Sequence, residues 1–315
     1  MYFPFGKSKF SNRAGIALTA DGIAFAEMGP DEKVPSLLRC GFLPLDQQQA
    51  ETELQSLLKQ AQLNRHRLAI CLDRTLFNLS LVEAPAVAPS EISQALAWKV
   101  KDLIDFTLDQ LVLDYVDVPA TKSSAAMVYA VSSQEPRIQH LVNEVNQAQA
   151  MLERIDIPAL ALQNLISRMV LADEGVALLN LTHRDSILTL GRGEKLYLSR
   201  GVDALCNQLR AGALPAGQLQ ASPLLDDLLL DVQRSLDYYD SYFVDPPIRH
   251  LIIPSTADLY DELIDFLDQN LAVDVRRLDL DEVLVPGPEL QLEGEYLGEL
   301  TLAIGAAMWR QELAA

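Results

Sequence analysis

Residues 175–200 read GVALLNLTHRDSILTLGRGEKLYLSR, and residues 14–28 read AGIALTADGIAFAEM. Both run from an apolar strand through a polar turn into a second apolar strand. Laid over one another, the copies set Ala17-Leu18-Thr19 against Asn180-Leu181-Thr182. A supersecondary unit that recurs along a chain constrains its architecture more than any single element does.

Reading outward from the first copy, a third strand is expected at 36–42 and a helix from Asp46 to Gln62. That helix has an apolar stripe and a capping box of Asp46 with Gln49. Strands follow at 67–72 and 76–83. The proline-bounded segment 85–89 predicts a link into a compact inserted unit: a helix over 89–103, strands at 111–118 and 125–132, and a helix over 136–150. The segment 155–171 supplies a strand end and a helix. Beyond the second copy, a helix over 224–242, a strand at 249–254, a helix over 257–270, a strand at 273–278 and a last helix over 300–310 are expected. Strands interleaved with helices in two similar halves give an α/β class. Duplication of this kind is the fold shared by actin, Hsp70 and sugar kinases. The expected organisation is an N-terminal arm at 1–13, a first domain at 14–174 carrying the inserted α+β module at about 88–150, and a second domain at 175–315. Its last helix is expected to pack back on the first domain.

Composition narrows the function classes. With 25 basic and 44 acidic residues, the formal charge is −19, a field that repels nucleic acid and anionic lipid. The exception is the arm, where Lys7, Lys9 and Arg13 mix with Tyr2, Phe3, Phe5 and Phe10. It reads either as a segment touching a membrane or partner, or as a terminus tucked onto the body. No window approaches the ~20 uninterrupted apolar residues of a spanning helix. Cys40, Cys71 and Cys206 show no metal-type spacing and are expected as reduced thiols of a cytoplasmic protein. His66, His140, His183 and His250 share no paired spacing, so no metal site is expected.

Five stretches in order resemble the PilM family of actin-like type IV pilus assembly proteins. They are ALAWKVKDLIDFTLDQLVLDY (95–115), VYAVSSQE (128–135), RIDIPALAL (154–162), VQRSLDYYDSYF (232–243) and LAIGAAMW (302–309). The likeness is nearest to the family's branch from mannose-sensitive haemagglutinin (MSHA) pili; a likeness to the cytoplasmic domain of GspL-type secretion adaptors is weaker. It implies a cytoplasmic scaffold recruited to the inner face of the inner membrane. The scaffold binds the N-terminal tail of a PilN-like bitopic inner-membrane protein, with a pilus assembly ATPase as a further partner.

The resemblance also implies a nucleotide site with Gly-rich hairpins whose amides approach phosphate, strand aspartates that anchor Mg²⁺, and a Gly-Gly turn against adenine. This chain departs from all three. The first hairpin carries Ala17, Thr19, Ala20, Asp21 and Gly22; alanine holds no metal, and a carboxylate at Asp21 opposes phosphate. At an effective dielectric of ~20, a like charge ~4 Å away costs about 4 kcal/mol before screening. The second hairpin carries Asn180, Thr182, His183 and Arg184; Asn180 offers a hydrated metal no charge, and Arg184 is either the one residue to welcome a phosphate or, on the plainer reading, a solvated residue or a partner for Asp185. The adenine turn is replaced by Pro254-Ser255, which reads as a helix start. No cofactor is therefore expected; ATP and Mg²⁺ belong to the alternative reading, a weak ATP-dependent switch. For Trp98 two readings stay open: a core aromatic packed on Val128 and Tyr129, or part of a tail-binding groove with Ile104, Phe106 and Leu111.

Overall fold

A computed structural model describes residues 12–29, 35–45, 54–123, 125–202, 223–255, 261–287 and 296–309. The strands of the first half are β1 (Arg13–Thr19), β2 (Gly22–Met28), β3 (Ser36–Pro44), β4 (Arg67–Cys71) and β8 (Met151–Asp156). Those of the second half are β9 (Val176–Leu181), β10 (Ser186–Arg192), β11 (Lys195–Gly201), β12 (His250–Ile253) and β13 (Asp274–Arg277). One sheet has the order β3-β2-β1-β4-β8 and the other β11-β10-β9-β12-β13. In both, the first strand pairs antiparallel with the second and parallel with the fourth. The duplication seen in residues 14–28 and 175–200 thus extends to whole sheets. This is the actin-like fold.

Both faces of each central hairpin are covered. Every residue of β2 is buried, as is every residue of β9, and strands covered on both faces read as continuous apolar runs rather than alternating ones. The covering element between the halves is a pair of helices, α4 (Pro158–Ile166) and α7 (Leu297–Ala307). All eleven residues of α7 are buried. It lies so close to β1 that a Cβ on Gly15 would sit 1.9 Å from the Ala303 carbonyl oxygen, and so close to α4 that one on Gly305 would sit 2.1 Å from that of Ala161.

The inserted unit comprises α2 (Ile92–Val100), β5 (Asn78–Glu83), β6 (Leu111–Asp117), β7 (Met127–Gln134) and α3 (Glu135–Gln147), with strand order β5-β7-β6. Trp98 corrects one of its two sequence readings. It is 63% exposed, not packed on Val128 and Tyr129. The reason is helical spacing: α2 buries Leu96 and Val100, one turn apart, and residue 98 falls on the opposite face. Tyr129 instead packs with Ile157, Ala159 and Leu196, and its hydroxyl donates to the Tyr197 carbonyl at 3.2 Å.

Other departures are local. Residues 74–76 form a 3₁₀ turn capped by Asp73, whose Oδ1 accepts from the Thr75 amide at 2.9 Å, so β5 starts at Asn78. A two-residue strand, β14 (Val285–Pro286), extends the first sheet beside β3. Of the helix expected from Asp46, the described part is α1 (Leu54–Gln60); the capping box, the arm to residue 11 and Cys206 lie outside the described residues. The remaining helices are α5 (Pro223–Tyr242) and α6 (Asp261–Asn270).

Candidate functional site

The tips of the β1–β2 and β9–β10 hairpins face each other across the cleft between the halves, where an actin-like nucleotide site would hold phosphates. Several of the turn amides are already bonded. Thr19 Oγ1 accepts from the Asp21 amide at 3.2 Å and the Gly22 amide at 3.0 Å, and donates to the Gly22 carbonyl at 3.0 Å. Thr182 Oγ1 accepts from the Asp185 amide at 3.0 Å and donates to the Asp185 carbonyl at 2.8 Å. The His183 amide donates to Glu299 Oε1 at 2.6 Å. An amide already bonded to a hydroxyl or carboxylate is not available to cradle phosphate.

Side chains close the remaining space. The Arg184 guanidinium grips the Asp21 carboxylate with two nitrogens, Nε reaching Oδ2 at 2.7 Å. Arg184 therefore pairs across the cleft with Asp21, where the sequence pointed to solvent or to Asp185. Asp185 pairs instead with Arg74, at 3.6 Å. The Arg74 guanidinium lies close against the second half: a Cβ on Gly201 would sit 2.6 Å from its Nη1. What is left between the tips is about 30 Å³, on the scale of one water molecule.

The metal-anchor positions fare no better. Ala17 is fully buried in the cluster that includes α7. Asn180 is fully buried too, and its Nδ2 donates to the Gly298 carbonyl at 3.1 Å. A carboxylate there would set oxygen against oxygen. Gly22 is held by packing: a Cβ would sit 2.1 Å from the Leu43 carbonyl oxygen. Ala20 is exposed at the turn. Pro254 is buried and Ser255 half-buried; the helix start expected after them falls on residues 256–260, outside the described residues. Among the described residues no cluster of His, Cys, Asp and Glu is arranged to hold a metal ion. The residues present do not fit Mg²⁺ and a triphosphate.

Sequence reasoning missed a second layer at this cleft. Phe42 stacks on Tyr296 with ring centroids 4.0 Å apart, and Tyr296 stacks on His183 at 4.7 Å, which joins β3 to the second hairpin. Burial pushes the Glu299 carboxyl up from its ordinary pKa, and its contacts with His183 pull the other way. Phe42, His183 and the Tyr296–Glu299 pair come from three segments far apart in sequence, and no spacing signal unites them.

A larger cavity of about 210 Å³ opens in the inserted unit, walled on one side by residues 74–77 that lead into it. Phe106 lines it, with Arg74, Asn78, Ser132 and Arg137. The other three groove residues do not line this cavity. Trp98 stands exposed on α2, with Lys101 Nζ 5.6 Å from its ring centre. Ile104 and Leu111 are half-buried on either side of the 3₁₀ turn at Leu108–Gln110.

No family model and no curated protein matches the chain. Solved structures do. The chain is similar to a PilM–PilN type IV pilus biogenesis complex, at 17% identity and a TM-score of 0.71, covering 95% of this chain and 98% of that one. It is similar to the cytoplasmic domain of EpsL, an inner-membrane component of the type II secretion system of Vibrio cholerae. There the identity is 9% and the TM-score 0.52, over 97% of this chain and 98% of that one. A Bacteroides thetaiotaomicron protein of actin-like ATPase fold and unknown function matches at 11% identity and a TM-score of 0.51, over 89% of this chain and 96% of that one.

Proposed function

We propose that this chain is a non-catalytic, actin-like scaffold of type IV pilus biogenesis, of the MSHA type and comparable to MshI. It docks the N-terminal tail of a PilN-like bitopic inner-membrane protein in the groove between its first domain and the inserted unit. That contact recruits it from the cytoplasm to the inner membrane, where an assembly ATPase is a further partner. The observation that carries the reading is the filled cleft: two threonine hydroxyls, one cross-cleft ion pair and Glu299 take the positions a nucleotide needs. An open cavity in the inserted unit leaves room for a peptide instead. Among the described residues no helix is long and apolar enough to cross a membrane.

The test is calorimetric titration of the full chain with the N-terminal tail peptide of the PilN-like protein. Saturable binding in the micromolar range is expected, and no heat at several hundred micromolar would sink the reading. Titration with Mg-ATP in parallel should leave the melting temperature unmoved. A saturable rise would move the protein to the class of ATP-dependent switches, since a ligand that binds only the folded state stabilises it.

A further inference from the structure

The 210 Å³ cavity has a chemistry of its own. Its ionisable lining is two guanidiniums, Arg74 and Arg137, and one carboxylate, Asp105. Two of these three charges are positive, in a chain of formal charge −19, and one of the two, Arg74, is shared with Asp185. Arg137 is held in place by one bond, from Nη1 to the Thr75 carbonyl at 2.8 Å, which leaves the rest of its five-donor fork for a ligand. Arg74 is held from the cleft side by Asp185 at 3.6 Å. Ser132 is fully buried, lines the pocket, and its Oγ makes no hydrogen bond. A buried hydroxyl without a partner costs free energy unless something arrives to satisfy it.

We propose that this pocket is a carboxylate subsite. It takes one Asp or Glu side chain of the docked peptide, with Arg74 and Arg137 as its cations; the buried Ser132 hydroxyl belongs to the same wall. The proposal rests on the tail-docking reading and specifies which side chain anchors the tail. A single carboxylate fits better than a phosphate because Asp105 stands at the same pocket and repels a dianion more strongly than a monoanion. A peptide fits because β5, whose first residue Asn78 lines the pocket, is an edge strand of its sheet. An extended segment pairing with such an edge sends alternate side chains toward one face. Phe106 supplies apolar wall for the stem of the side chain.

The test uses the ¹⁵N-labelled full chain and capped amino acids as probes: N-acetyl-aspartate N-methylamide, its asparagine and lysine counterparts, and inorganic phosphate. The aspartate probe is expected to saturate in the low-millimolar range and to shift the amides of residues 74–78, 132–135 and 137. The asparagine probe should bind about tenfold more weakly, as the loss of a charge-assisted bond predicts. Arg137→Gln, at an exposed position that leaves the core intact, should weaken the aspartate probe about tenfold. Asp105→Asn should tighten it about threefold. Equal binding of the aspartate and asparagine probes, tighter binding of phosphate, or shifts confined to the interdomain cleft would each overturn the subsite. A tail that docks while the aspartate probe fails removes the subsite alone. A probe that binds while the tail fails keeps the subsite and removes the tail reading.

Discussion

At the scale of single residues, the cleft turns on hydroxyls and carboxylates that do the work of a ligand. Asp21 meets Arg184 with two oxygens, much as a phosphate would, but both side chains are partly exposed, at 28% and 48%. Such a pair is worth about 1 kcal/mol or less. Asp21→Asn should therefore lower stability by no more than about 1 kcal/mol, and Mg-ATP should still fail to raise its melting temperature. Thr19 and Thr182 keep the turn amides occupied in that variant. A second site of charge lies on the first sheet. Glu27 accepts from Arg39 at 2.7 Å and Asn12 at 2.8 Å and meets His66 Nε2 at 3.1 Å. The His66 hydrogen bond, with those of Asn12 and Arg39, takes its pKa down to about 2 against the opposing effect of burial, while Glu27 raises that of His66. The signs are opposite. The depressed carboxylate contributes stability above pH 4.5 and loses it as pH falls toward about 2. The raised histidine contributes below pH 6.5 and loses it as pH rises through its folded value. Urea midpoints of the natural chain minus those of Glu27→Gln should thus be largest between pH 4.5 and 6.5 and shrink on both sides, with a loss of about 2 kcal/mol at the maximum.

At the scale of elements, close backbone approaches matter more than any side-chain pair. Helix α7 touches β9 through Gly298, where a Cβ would sit 2.0 Å from the Leu181 carbonyl oxygen, and touches α4 through Gly305. Gly305→Val has nowhere to go, because its neighbour is backbone; a loss of about 3 kcal/mol is expected, read from the urea midpoint and soluble yield. From the sequence, the last helix is expected over 300–310 and packed back on the first domain; its start at Leu297 and its second close approach, through Gly298 to β9, come from tertiary placement that no local pattern carries. The paired hairpins were legible for a better reason: their apolar runs and polar turns repeat, and the repeat encodes strand order. By contrast, β14 has two residues, with Val285 exposed, and its pairing depends on where the chain returns rather than on propensity. The cleft was half legible. Thr19, Asp21, Thr182 and Arg184 stand in the turns themselves, so the hairpin alignment found them. Arg74, Tyr296 and Glu299 reach the same place from remote elements, and only the fold brings them there.

At the scale of the whole molecule, the halves are tied at two ends. Near the hairpins stand the Asp21–Arg184 pair, the Arg74–Asp185 pair and the Phe42–Tyr296–His183 stack. Beside the inserted unit, the Lys122 amide donates to the Tyr242 carbonyl at 2.8 Å, and Thr121 bridges to Phe243. The two sheets are thus joined by contacts at both ends of the cleft. The stack is the part that can be removed without touching charge. Tyr296→Ala deletes both ring contacts, and aromatic pairs contribute about 0.5–1.5 kcal/mol each beyond their buried area. If the stack couples the halves, amide exchange should speed up together at Asp21, Gly22, His183 and Asp185, by roughly tenfold for each 1.4 kcal/mol lost. The amides of β6 and β7 should be unaffected. Faster exchange at His183 and Asp185 alone would mean that Tyr296 steadies only its own hairpin, and that the ion pairs by themselves hold the cleft shut.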